Sequence, residues 1–270
     1  MDIWTRQQPF ISPEQQQTLQ NSRVLVAGVG ANGSVAAEAI VRIGVGTVIL
    51  ADPDHVETNN LNRQNYTAAD IGRPKVEALQ DRLRSIQPDL NLQVYPEGVT
   101  PANAEPLITA CDVVIENCDD YPAKVLLSRL CQRQNKSQVH SAGGAVRGAV
   151  TVFQGDHTYE TLFDLPTAGV ADADLGTLDY TAHRQNVVER FGANLFDEDI
   201  VQELTADSYA QWPTMSGACD IAAHIASLQC LWLLIRQPQH LILAPRVLMF
   251  DARTLEFKFK DFASQKKVTF

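Results

Sequence analysis

The chain has 270 residues, is 45% apolar and 20% charged, and carries a formal net charge of −10, a balance that fits one soluble globular domain and disfavours DNA or RNA as a partner. No apolar run approaches the roughly 20 residues of a membrane span, and residues 1–10 lack a signal-peptide core, so the expectation is a cytoplasmic protein without a membrane segment. The five cysteines (Cys111, Cys118, Cys131, Cys219 and Cys230) form no C-x-x-C pair, which argues against a four-cysteine zinc and for reduced thiols.

Residues 1–22 read as an arm followed by a helix. Ser12 is placed to cap it, Pro13 sits in its first turn, and Gln15 stands at the third position of a capping box. Arg6, in the arm, is either a solvated arginine or a cation delivered to a phosphate from outside the nucleotide pocket. Next comes an apolar strand, 24–27, and then Gly28, Gly30 and Gly33 in G-x-G-x-x-G spacing. A helix over 34–43 and a second strand over 47–51 follow, ending at Asp52. This is a β-α-β nucleotide fingerprint: the glycines permit a tight turn and close approach to phosphate or ribose, and the acid can accept hydrogen bonds from ribose hydroxyls. By itself it does not distinguish a dinucleotide from a triphosphate. Downstream lie Asn60, Arg63 and Gln64, within N-L-N-R-Q, and Lys75, within G-R-P-K. Two cations there suit a polyphosphate and a departing pyrophosphate better than NAD.

Beyond Lys75, the spacing predicts a helix over 75–86, a strand over 92–95, a helix over 101–109, a strand over 111–117, a helix over 123–135 and a strand over 138–141. Alternating strands and helices imply a mainly parallel sheet. From Gly143 the pattern changes to a glycine-broken strand over 145–153, antiparallel to its neighbours. Residues 156–207 hold twelve acids against Arg184 and Arg190, so this segment carries −10 and the rest of the chain balances. It reads as irregular, with short helices over 181–191 and 198–204. It is either a solubilising surface insertion or a surface for a basic partner. An apolar helix over 216–235, rich in small residues early and large ones late, reads as a buried or subunit-packing element. Strands over 246–250 and 256–260 close the chain. The fold expected is α/β, a Rossmann-like mainly parallel sheet with flanking helices, antiparallel C-terminal strands and an inserted loop/helix region.

The strand ending near Asn117 delivers Asp119 and Asp120 to the carboxyl edge of the sheet, where ligands of such folds bind. Asp120 serves as well as Asp119 for a helix cap, which leaves Asp119 for Mg²⁺ or nucleotide. The ordered set of G-x-G-x-x-G, Asp52, N-L-N-R-Q, G-R-P-K and Asp119 resembles the ubiquitin-activating-type (ThiF-type) adenylyltransferase family, over roughly residues 5–154 and 213–262. The resemblance implies one adenylation domain over 1–270, with a nucleotide-binding core at 23–154, the acidic insertion at 155–212 and a C-terminal part at 213–270. It further implies ATP, Mg²⁺ and a homodimer. A substrate carboxylate would attack the α-phosphate, giving an acyl-adenylate and pyrophosphate. Carried over by position, Asp52 would hold ribose, Asn60, Arg63, Gln64 and Lys75 the phosphates, Asp119 the metal, and Arg6 would act across the subunit interface. Gly28, Gly30 and Gly33 would form the nucleotide turn.

The chain departs from that pattern in three places. Ala31 and Asn32 follow Gly30 where the family has a further glycine. Thr158-Tyr159-Glu160-Thr161-Leu162 stands where the first zinc C-x-x-C is expected, and the tail 266–270 lacks the second, so no zinc is expected. No cysteine lies between 132 and 218 to relay a thioester, and Cys219 reads as a packed thiol. The function expected is adenylation of a carboxylate on a peptide or small protein, in maturation of a ribosomally made peptide. The alternatives are activation of a ubiquitin-like sulfur carrier, cyclic dehydration of a tRNA nucleoside's carboxylate and, most remotely, NAD binding.

Overall fold

A computed structural model describes residues 3–180 and 213–262. Helix α1 (Pro13–Asn21) leads into β1 (Arg23–Ala27), α2 (Ala31–Ile43), β2 (Thr47–Ala51), α3 (Lys75–Ile86), β3 (Asn91–Tyr95), α4 (Ala104–Ala110), β4 (Val113–Glu116) and α5 (Tyr121–Arg133). Then come β5 (Ser137–Gly144), β6 (Arg147–Phe153), α6 (Tyr159–Phe163), α7 (Ser216–Leu234), β7 (Arg246–Asp251) and β8 (Glu256–Asp261). They build one eight-stranded sheet of order β3-β2-β1-β4-β5-β6-β7-β8. The first five strands in chain order are parallel, and β6, β7 and β8 are antiparallel additions.

Alternation along the strands sends side chains to two cores. Val24, Val26, Val48, Leu50 and Ile115 face α2, α3 and α7, whereas Leu25, Ala27, Ile49 and Val114 face α4 and α5. Helix α7 is long and apolar enough to cross a membrane (mean hydropathy 1.3), against the expectation from single apolar runs. Here it is a core helix, because the buried Ala218, Ala222, Ala223 and Ala226 let it lie close against α2 and the sheet.

Element boundaries moved for local reasons. Helix α1 starts with the capping box foreseen: Ser12 Oγ accepts from the Gln15 N–H at 3.2 Å, and Gln15 Oε1 accepts from the Ser12 N–H at 2.9 Å. Helix α2 begins at Ala31, three residues before the periodic pattern does, because the glycine turn is absorbed into its first turn. Helix α4 starts at Ala104 rather than 101, since Thr100 and Asn103 bond each other's backbone N–H and form a turn ahead of it. Strand β5 runs on to Gly144 because its last residues pair with β6.

The first part of the acidic segment is not simply surface. Leu162, Phe163, Leu165 and Leu175 are buried in the α5-side core, and α6 is a helix where loop was expected. Arg129 of α5 ties this stretch down. It pairs with Glu160 at 2.7 Å and Asp172 at 2.9 Å, and donates to the carbonyls of Thr167 and Val170. The helices expected over 181–191 and 198–204 lie outside the described residues.

Candidate active site

In an open parallel sheet, ligands bind beyond the carboxyl ends of the strands where the strand order reverses. That point is the gap between β1 and β4, since the chain goes from β1 outward to β2 and β3 before returning to β4. A cleft of about 1230 Å³ opens there. Small-molecule pockets usually enclose about 300–1,000 Å³, so a nucleotide leaves room for part of a second substrate.

The glycines divide the work. Gly28 adopts φ +80°, and a side chain there would meet the Asn117 carbonyl oxygen at 2.4 Å. A methyl on Gly33 would fall 1.8 Å from the Gly28 carbonyl oxygen, so Gly33 sets the strand–helix approach and does not line the cleft. Gly30 is different. A methyl on it would meet only Gln64 Nε2, at 3.7 Å, so the folded chain itself does not exclude one. Gly30 is the N-cap of α2 and supplies no capping side chain, which leaves the helix's first N–H groups for an anion.

Around this turn the protein supplies a rigid frame. Asp52 Oδ2 accepts from the Val29 N–H at 2.7 Å and Oδ1 from the Asp54 N–H at 2.9 Å. Burial pushes the Asp52 carboxyl up, while Lys75 and these N–H groups oppose that rise. The Tyr66 hydroxyl donates to the Val29 carbonyl at 2.8 Å from the other side. Lys75, at the start of α3, is buried with Nζ 2.7 Å from half-exposed Asp54. Arg63 donates to the Asn59 carbonyl at 2.7 Å and to Asn62 Oδ1 at 2.8 Å, and Asn60 caps the same turn through the Glu57 N–H. Gln64 is 8% exposed, and its Oε1 has no partner among the described residues. Gly28, Gly30, Asp52, Asn60, Arg63, Gln64 and Lys75 all line the cleft.

The opposite wall comes from the end of β4. Asp120 Oδ2 accepts from the Ala123 N–H at 2.9 Å and caps α5, which leaves exposed Asp119 on the cleft wall outside that role. Beneath it lies a constellation of charges. Glu116, fully buried, bonds Lys124 Nζ at 2.9 Å, His140 Nδ1 at 2.7 Å and the Cys118 N–H at 2.8 Å. Burial pushes the Glu116 carboxyl up, but Lys124 and His140 outweigh it and hold it at about 2. The Cys118 bond pins the loop that carries Asp119. On the α2 side, Asn32 Nδ2 donates to Ser141 Oγ at 3.3 Å, and Ser141 donates to Asn117 Oδ1 at 2.6 Å.

Comparison with known proteins decides the family: the model of the ThiF family matches residues 4–269. The chain belongs to the ThiF family. Among curated relatives, the SAMP-activating enzyme E1 of Haloferax volcanii is 31% identical over 180 residues, 62% of this chain and 67% of the relative. The sulfur carrier protein adenylyltransferase of Thermus thermophilus is 33% identical over 156 residues, covering 57% of this chain and 58% of its own length. The aligned region thus spans about two thirds or less of either relative. Among solved structures, E. coli MccB with ATP superposes with a TM-score of 0.66 at 15% identity, over 94% of this chain and 67% of MccB. That likeness is one of fold.

Against the ThiF pattern, the zinc-pair position is occupied by α6. Thr158 caps it, and Tyr159 and Leu162 fill the core. Among the described residues no group of three or more His, Cys, Asp or Glu side chains could hold a metal. An ion carried on substrate phosphates needs only one or two carboxylates, and exposed Asp119, facing the cleft that Arg63 and Lys75 line, fits Mg²⁺ of that kind. Cys111, Cys131, Cys219 and Cys230 are buried; burial pushes Cys111 and Cys219 up to about 12, and Cys118, Cys131 and Cys230 upward as well. Arg6 does not reach this chain's cleft. Trp4 is buried, and Gln7 Nε2 donates to the Ile43 carbonyl at 2.7 Å; together they dock the arm and leave Arg6 exposed.

Glu116, Lys124, His140 and Asn117 were not singled out from the sequence. The available signal was Glu116 itself, a charge ending the otherwise apolar run Val113-Val114-Ile115.

Proposed function

We propose that this chain adenylates a carboxylate on a peptide or small protein, using ATP and Mg²⁺. The supporting observation is the convergence, on one cleft at the sheet's switch point, of the uncapped α2 N-terminus, Arg63, Lys75 and Asp119. A carboxylate is a weak nucleophile approaching a polyanion, so the site must offset phosphate charge and hold attack in line. Lys75 and Arg63 meet the phosphates, Asn60 and Gln64 orient them, and Asp52 takes the ribose while holding the turn. Asp119 holds Mg²⁺, which when bound neutralises charge on the pyrophosphate. Arg6 enters the cleft of a second copy in a homodimer. The peptide reading, in maturation of a ribosomally made product, draws on the volume beyond a nucleotide and on the absence of a relay thiol. Sequence relatives named for sulfur carriers favour a second reading, activation of a ubiquitin-like carrier's C-terminus.

The test is ATP–pyrophosphate exchange against panels of ubiquitin-like carriers and precursor peptides. Exchange that depends on one substrate, and that falls about 10²–10³-fold in Lys75→Ala and Asp119→Ala with the melting temperature retained, is expected. Full exchange in both variants overturns the site assignment.

A further inference from the structure

The cleft has a floor that adenylation leaves without a task. His140 lies on β5 level with Glu116 of β4 and Thr151 of β6. Its Nδ1 is 2.7 Å from Glu116 Oε2, and both side chains are buried. Glu116 also takes Lys124 and the Cys118 N–H, so it acts as the acceptor for His140 Nδ1 and leaves Nε2 as the ring nitrogen open to a substrate. Nε2 has no hydrogen-bond partner among the described residues. Tyr159 and Phe163 hold the ring edge-on, at 5.3 and 5.9 Å. His140, Lys124, Tyr159 and Phe163 line the same cleft as Lys75 and Asp119. A histidine oriented by a buried carboxylate is an arrangement that makes imidazole a proton acceptor.

We propose that His140, oriented by Glu116, accepts the proton of an amine that attacks the acyl-adenylate, so that this chain also joins the activated carboxyl group to nitrogen as an amide. This rests on the adenylation reading above. The N–C bond forms as the C–O bond to AMP breaks. The electron pair leaves on the AMP phosphate oxygen, and the amine proton passes to Nε2 and then to water. Two features select an amine. Lys124 beside the dyad disfavours a second ammonium, so the amine enters as free base and becomes acidic only on attack, when a proton acceptor is needed. A thiol acceptor ionises near neutrality without one.

The experiment uses the carrier or peptide that supports exchange, with glycinamide and n-butylamine as acceptor probes. AMP release and product mass are read beside exchange. The wild type is expected to form the amide above the solution rate. His140→Gln is expected to keep exchange within about twofold and to lose amide formation by about 10²-fold or more. In His140→Ala, added imidazole should restore amide formation, which a purely structural histidine would not allow. Amide formation unchanged in His140→Gln, hydrolysis as the sole fate of the adenylate, or no imidazole rescue overturns the proposal. Absence of exchange in the wild type overturns the adenylation reading, and the amide step with it.

Discussion

The two walls of the cleft solve the problem of charge differently. On the glycine-turn side, among the described residues, Lys75 forms its ion pair with half-exposed Asp54, and Arg63 is held by neutral groups, so neither cation has a buried ion-pair partner. On the β4–β5 side, fully buried Glu116 is partnered from within the protein by Lys124 Nζ and His140 Nδ1. A site that binds a mobile polyanion needs cations without strong fixed partners. A wall that must keep its shape needs charges that are fully partnered, because a buried charge left alone is costly.

The strongest way to break this contrast is Glu116→Ala, which strands Lys124 in the core. A loss of about 3–5 kcal/mol in urea unfolding is expected, against a far smaller loss for Lys75→Ala. The same wall predicts a pH window. Because the folded Glu116 carboxyl lies below its ordinary value, its stabilisation is complete above the unfolded pKa and is lost as pH falls from about 4.5 to about 2. Glu116→Gln should flatten that part of an acid titration followed by circular dichroism. Within the glycine turn, Gly33→Ala must push the Gly28 carbonyl aside and should cost about 3 kcal/mol. Gly30→Ala should instead spare the melting temperature and weaken ATP binding about tenfold or more by calorimetry. The smallest effect belongs far from either wall: Ser12→Ala, which removes the α1 cap, should lose about 1 kcal/mol.

Much of the nucleotide side was legible because it is local. Gly28, Gly30, Asp52, Asn60, Arg63, Gln64 and Lys75 all come from one stretch of about fifty residues, and the loops of a β-α-β unit bring them to one sheet edge. Asp120 as the cap of α5 was legible too, since a cap needs only short-range geometry. The inner wall was not. Glu116, His140 and Tyr159 lie 24 and 19 residues apart in turn, and their meeting depends on which strand lies beside which. Composition also misled over 155–180. Charge suggested surface, yet Leu162, Phe163, Leu165 and Leu175 are core because Arg129 offsets Glu160 and Asp172 above them.

The amino-acid sequence determined the local units: the capped first helix, the glycine turn and its helix, the apolar strands and the α7 run, each set by side-chain period and capping chemistry that act over a few residues. Only the tertiary structure decided that β4 returns beside β1 to open the cleft, that Gly33 serves packing while Gly30 leaves space, and that Glu116 meets both Lys124 and His140. The physical reason is that period and caps act between neighbours in the chain, whereas burial and charge pairing act between neighbours in space.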